Sequence, residues 1–191
     1  LEGANKKGTF GATTALQLAE LYRQSRQNTA MMRYINSVLS VSNLPPQYVY
    51  QVATILHKAQ LYTEMDQAIQ RCLKMIPKDS QPELFLNITK MYLDAKMLPQ
   101  MILTMKQYLV IKPEDWKARL DLCLLQMNLK QFEDALHSLN QALKFGGIEA
   151  EQIIRNDPDR RFAPLLSVIN QSISRSPRKT LKGIPGIIPG I

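Results

Sequence analysis

The sequence predicts an all-α fold: an α-solenoid of about four antiparallel helix pairs with a C-terminal capping helix. Three observations carry this reading. The stretch from Trp116 to Phe145 reads as two short amphipathic helices around a tight turn. A unit of about thirty-four residues recurs along most of the chain. Proline stops two of these units at the same place, at Pro77 and Pro113.

In the stretch from Trp116 to Phe145, Leu120, Leu122, Cys123, Leu125 and Met127 crowd one side of the first helix. In the second, Phe132, Ala135, Leu136, Leu139, Ala142 and Leu143 recur at spacings of three and four, which is helical periodicity. Asn128, Leu129 and Lys130 form the break. Helices of about four turns are marginal alone, because nucleation is costly. One pair cannot bury both of its faces, and stacked neighbours supply the missing cover.

Taken in order, residues 1–11 hold three glycines and two lysines without periodicity, and they read as a flexible lead-in, with the first helix starting near Thr13 or Thr14. Four windows come next, 12–45, 46–79, 82–115 and 116–149, with residues 80–81 inserted between the second and third. The windows agree column by column. The eighth position is Ala19, Ala53, Thr89 and Cys123, small each time, so two helix backbones can approach there. The seventh is Leu18, Val52, Ile88 and Leu122, and the twenty-fourth is Ile35, Ile69, Met105 and Leu139. The eleventh is Tyr22, Leu56, Tyr92 and Gln126.

These columns resemble the tetratricopeptide repeat family, whose signature has a small eighth residue, an aromatic eleventh, alanines at the twentieth and twenty-seventh, and a late proline. Window 116–149 matches best, with Ala135 and Ala142 on the two alanine columns. The other copies depart from the pattern. Met31, Met65 and Met101 stand at the twentieth position, and Val38, Cys72 and Tyr108 at the twenty-seventh. The resemblance implies a right-handed superhelix with the first helix of each pair lining a concave groove.

Gly146-Gly147 ends the last pair, residues 148–155 form a short helix, and Asn156 to Asp159 form a turn cluster. Phe162, Leu165, Leu166, Val168 and Ile169 then make one more apolar face. Residues 150–171 are the expected cap over the exposed end of the solenoid. From 172 to 191 the chain is basic and then rich in Gly, Ile and Pro, so an extended or disordered tail is expected.

The net charge is +8, of which four charges fall in the tail (Arg175, Arg178, Lys179, Lys182) and one in the lead-in, leaving three for the helical body. That distribution argues against a nucleic-acid binder, as does the lack of aromatics interleaved with lysines. No apolar run reaches transmembrane length, and no secretory signal opens the chain. The chain starts at Leu1 rather than Met, so it reads as a processed form or an excised piece. A cytoplasmic location is expected, with a soluble part of a membrane-associated protein as the alternative. A tether or membrane-bound partner would then act through a part of the chain missing here.

Reaction chemistry is sparse. His57 and His137 lie in different repeats without carboxylate or cysteine companions at ligand spacing. Cys72 and Cys123 fall on apolar helix faces and read as small buried side chains. No enzyme, cofactor or metal is expected, and no small-molecule substrate. The expected function is a protein-interaction module that holds a peptide or protein segment. A structural appendage of a larger assembly is the alternative.

By the resemblance, groove positions in the first half of the solenoid are polar and include Gln17, Glu20, Tyr50, Gln51, Thr54, His57 and Lys58. In the second half they are Asn87, Lys90, Lys117 and Asp121 together with Leu86, Leu93, Leu120, Leu124 and Met127. The expected contact residues are Tyr50, Gln51, Thr54, Lys58, Asn87, Lys90, Lys117 and Asp121, with apolar Leu86, Leu120 and Leu124. The competing expectation for the apolar set is packing against neighbouring helices. A chaperone-tail carboxylate clamp is not expected, because Glu20 occupies a position where the clamp needs a neutral or basic group.

Overall fold

The computed structural model describes residues 2–77 and 81–167, with side chains from Gly11 onward. Among the described residues every regular element is a helix. In chain order these are α1 (Glu2–Gln24), α2 (Asn28–Leu39), α3 (Pro46–Lys58), α4 (Tyr62–Met75), α5 (Pro82–Asp94), α6 (Leu98–Ile111), α7 (Trp116–Asn128) and α8 (Phe132–Arg155). A further helical stretch covers 163–167. Consecutive helices pack as pairs: α1 with α2, α3 with α4, α5 with α6 and α7 with α8. The first three pairs belong to one compact unit, Leu1–Pro113, and the fourth to a second, Glu114–Ile191.

The turn inside each pair shows why the pairs are alike. Arg26, Gln60, Lys96 and Lys130 each adopt a left-handed backbone, with φ of 56°, 60°, 57° and 59°. All four sit at the fifteenth position of their windows. The amide of the next residue reaches back to the carbonyl of the eleventh position: Gln27 to Tyr22 (2.9 Å), Leu61 to Leu56 (3.0 Å), Met97 to Tyr92 (2.9 Å) and Gln131 to Gln126 (2.8 Å). The left-handed residue's own amide reaches the twelfth position, as in Gln60 to His57 and Lys130 to Met127, both 2.9 Å. This pair of bonds satisfies carbonyls that a helix end otherwise leaves open. The residue after the turn then starts the second helix, with nearly the same dihedrals each time: Gln27 (−97°, 70°), Leu61 (−90°, 73°), Met97 (−91°, 66°) and Gln131 (−85°, 63°).

Inside the pairs the columns behave as core. Ala19, Ala53 and Cys123 are fully buried and Thr89 nearly so. Met31, Met65, Met101 and Ala135 at the twentieth position are buried, and so are Val38, Cys72, Tyr108 and Ala142 at the twenty-seventh. Methionine fits where alanine is usual because its unbranched thioether adapts to irregular gaps. Tyr22 and Tyr34 stack across the first pair with ring centroids 5.5 Å apart. In the fourth pair a buried polar contact takes that place: the Ser138 hydroxyl donates to Gln126 Oε1 at 2.7 Å. Prolines sit where the windows place them, with Pro46 and Pro82 opening α3 and α5 and Pro77 just past α4. Ile76, the residue before Pro77, is extended, as sterics before proline require.

The amino terminus departs from expectation. The segment read as a flexible lead-in is helical from Glu2, so Thr13 and Thr14 lie inside α1 rather than at its start. Nothing in this stretch interrupts propagation: the first proline is Pro45, and once a helix is nucleated each added residue gains a bond. Glycine at positions 3, 8 and 11 lowers helix propensity without forbidding the helix.

In the second unit, α8 carries a break at Gly147 (φ 52°, ψ −132°), a conformation open in practice to glycine alone. Its neighbour Gly146 lies against Trp116, where an added Cβ would meet the indole Cδ2 at 2.6 Å. The chain beyond the break folds back on the pair: Ile154, Phe162 and Leu165 are buried in one cluster with Leu120, Cys123, Ala135, Leu139 and Ala142. Asp157 fixes the return. Its carboxylate accepts the Arg161 amide at 2.6 Å and the Arg161 guanidinium at 2.6 and 3.0 Å. These bonds hold the Asp157 carboxyl below the usual carboxylate range. Val168, Ile169 and the tail 172–191 lie outside the described residues, as do residues 78–80.

Two outcomes are expected from these local features. A non-glycine residue in the left-handed region costs about 1–2 kcal/mol. Lys96→Gly and Lys130→Gly should therefore each raise the unfolding free energy read from urea denaturation, by about 0.5–1 kcal/mol after the extra chain entropy of glycine is allowed for. Asp157 contributes stability while ionised, and the contribution is lost as pH falls through its lowered folded value. Asp157→Asn should lower the melting temperature at neutral pH, and the gap to the parent should close as pH drops below the ordinary value of 3.8.

Candidate peptide-binding groove

The first unit sets its odd-numbered helices side by side. Between α1 and α3, the Thr13 hydroxyl and the Tyr48 phenol meet at 3.3 Å near one end. Further along, the two helices enclose an open groove of about 900 Å³, lined by Thr13, Leu16, Gln17, Glu20 and Leu21 from α1 and by Tyr50, Gln51, Thr54, Ile55 and Lys58 from α3. Leu16 and Ile55 are buried and form its floor, whereas Leu21 is 57% exposed on its rim. The Thr54 hydroxyl donates to the Tyr50 carbonyl at 3.0 Å. Gln17, Gln51 and Lys58 are exposed.

Charge in this groove is unevenly spoken for. Glu20 accepts two bonds from Arg23, from Nε at 2.9 Å and Nη2 at 2.8 Å, and one from Gln24 Nε2 at 3.3 Å. Arg23 is the main reason the Glu20 carboxyl lies below its usual range, and the field of Lys58 adds to the effect. Lys58 itself makes no hydrogen bond or ion pair with any described residue.

Two contacts place α5 beside α3. Tyr50 and Asn87 line a second cavity of about 430 Å³, together with Pro46, Gln47, Cys72, Ile76, Leu84 and others. Seven residues on along both helices, His57 Nε2 lies 3.4 Å from Asp94 Oδ2. The same offset at both contacts means the helices run parallel, with Lys90 on the α5 stretch between them. Leu86, Asn87, Lys90 and Leu93 are all exposed. The α5 helix is tied from behind as well: Tyr92 is fully buried, its hydroxyl donates to Asp66 Oδ1 on α4 at 2.7 Å, and Gln70 Nε2 donates to it at 3.3 Å. Burial is the first reason the Tyr92 phenol is pushed far above its usual range.

The second unit treats its predicted residues differently. Leu120 is 5% exposed and belongs to the core cluster, so the assignment of Leu120 to a groove surface is corrected. Leu124 and Met127 are partly buried against the same cluster. The apolar run on α7 meets the returning chain at Ile154, Phe162 and Leu165, which is the competing expectation of packing rather than binding. Lys117 is exposed, with its ammonium 5.2 Å from the Trp116 ring centroid. Asp121 is exposed, and its carboxyl is raised by desolvation first and by Asp115 second, with Arg161 acting the other way.

Of the predicted residues, Tyr50, Gln51, Thr54 and Lys58 therefore share one groove, and Asn87 joins Tyr50 in the next cavity. Thr13, Leu16, Leu21 and Ile55 are groove residues that sequence reasoning missed, and of the four Leu21 is the exposed apolar one. It shares a helix face with Gln17 and Gln24, and a leucine among polar residues on a first helix was the available signal. Both thiols are free and buried, and burial pushes Cys72 up to about 11 and Cys123 up to about 12. Neither is a thiolate nucleophile at neutral pH. Among the described residues no three His, Cys, Asp or Glu side chains are grouped to hold a metal ion, and no helix is long and apolar enough to cross a membrane.

No family model matches the chain, and no curated protein matches it. Among solved structures, one described as the "MamA RS-1 ArsTM double mutant" aligns over 86% of this chain and 97% of its own, at 14% sequence identity and a TM-score of 0.48.

Proposed function

We propose that this chain is a non-catalytic protein-interaction module of tetratricopeptide-like repeats, and that it binds a peptide or protein segment in the groove between α1 and α3. In this reading residues 12–149 are four repeats, and residues 150–171 close the last of them. The observation that carries the proposal is the groove itself: an apolar floor of Leu16 and Ile55, an exposed Leu21 on the rim, and polar Gln17, Gln51 and Lys58 with unmet hydrogen-bonding capacity. A floor of this kind gains free energy when a partner's apolar side chain covers it, and the polar rim sets orientation. Because the walls are helices fixed by the paired turns, little ordering accompanies binding. Asn87 and Lys90 on α5 extend the surface. Leu86 and Leu93 give it a second apolar patch, and such patches tend to mark binding sites. Lys117, Asp121 and Leu124 belong to the fourth pair and are secondary candidates.

A photo-crosslinking amino acid at Gln51 should yield discrete adducts when the chain is expressed in its own cells, and the same group at Gln107 on the outer side of α6 should not. Equal adducts at both positions, or adducts at Gln107 alone, would remove the groove from the account.

A further inference from the structure

We infer that the segment taken by the α1–α3 groove is acidic as well as apolar: a side-chain carboxylate meets Lys58 while a neighbouring apolar side chain covers Leu16, Leu21 and Ile55. This rests on the groove reading above and deepens it. The argument is one of charge complementarity. Glu20, the carboxylate whose titration feels Lys58, is already engaged by Arg23 and Gln24, and Asp94 lies at the far end of α5 with His57 Nε2 3.4 Å from its Oδ2. The cations are not engaged. Lys58 lines the groove without a hydrogen bond or ion pair from any described residue, and Lys90 stands exposed on the neighbouring helix in the same condition. Glu83 is the remaining acid on this side. It lies in the first turn of α5, where the helix dipole favours a carboxylate, and it borders the second cavity rather than the groove.

An ammonium beside an apolar floor attracts a carboxylate more strongly than one in open water, because the partner's apolar groups displace the screening solvent. Glu20 does not oppose this, since its charge is offset within the same helix by Arg23. The same reasoning disfavours the chain's own 172–191 as the occupant. That segment carries Arg175, Arg178, Lys179 and Lys182 and no acid, so it would bring like charge to Lys58.

The test is selection of a random dodecapeptide library displayed on phage against the immobilised 191-residue chain. The peptides are fused through their C-termini, so that only side-chain carboxylates are available. Enriched peptides should carry a net negative charge beside Leu, Ile, Phe or Val. As free labelled peptides they should bind Lys58→Glu about tenfold more weakly than the parent, and Lys58→Arg within about twofold of it. They should also lose binding to Gln51→Trp, a neutral block at an exposed groove position, in a protein whose melting curve is unchanged. Enriched peptides without acidic excess that still fail on Gln51→Trp would overturn the acidic assignment and leave the groove standing. No enrichment, or enriched peptides that bind Gln51→Trp as well as the parent, would overturn the groove and this inference together.

Discussion

The structure depends on small buried side chains at the eighth column, which leave room for neighbouring helices to pack closely. Ala19, Ala53, Thr89 and Cys123 are buried there, and none is larger than threonine or cysteine. The helices α2 to α7, of 12 to 14 residues, are marginal by themselves, so their free energy of formation has to come from neighbours. Small residues at the crossing bring those neighbours near enough for the larger columns to fill the remaining space. Ile35, Ile69, Met105 and Leu139 at the twenty-fourth position do this, all with little or no exposure. Interiors packed at this density tolerate little added volume. The size of the eighth residue therefore sets how the first helices lie, and in the first unit that arrangement also shapes the groove between α1 and α3.

The turns supply the second constraint. Four left-handed residues at one repeat position give four second helices the same start. The sequence marks none of them with glycine or asparagine, the usual occupants of this conformation. Arg26, Gln60, Lys96 and Lys130 hold it because the two backbone bonds behind each of them, and the packing on either side, outweigh the local cost. Where glycine does appear it answers a harder demand. Gly147 adopts a backbone region that other residues avoid, and Gly146 makes room for Trp116.

Much of this was legible in the residues. The columns, the stops at Pro77 and Pro113, the break at Gly146-Gly147 and the burial of both cysteines arise from periodicity and side-chain size. The features that were not legible have physical reasons. The helical residues before Thr13 lack an apolar stripe, so periodicity has nothing to report there, yet a helix extends through them from the stretch that does. Leu120 was open to two readings because the fifth position of a first helix is exposed or buried according to the residues that come after the last repeat. Here Phe162 and Leu165 come back to it, and they share its cluster. The left-handed turns escaped because backbone conformation was not encoded by the residue type that usually betrays it. For the groove, chain order was a good guide to which side chains meet: Tyr50, Gln51, Thr54 and Lys58 lie together. It did not reveal which charges would already be matched, since the engagement of Glu20 by Arg23 depends on rotamers and helix register.

The surface logic grows out of the fold logic. Helices held in register by backbone geometry present side chains that have no structural task, and Lys58, Gln51 and Leu21 are of this kind. The claim beneath all of it is that the small column governs the packing of the pairs. The urea midpoint of Ala53→Leu measures this most directly, since Ala53 is fully buried in α3. The account predicts a loss of about 1–3 kcal/mol from overpacking. A midpoint equal to or above that of the parent would contradict it.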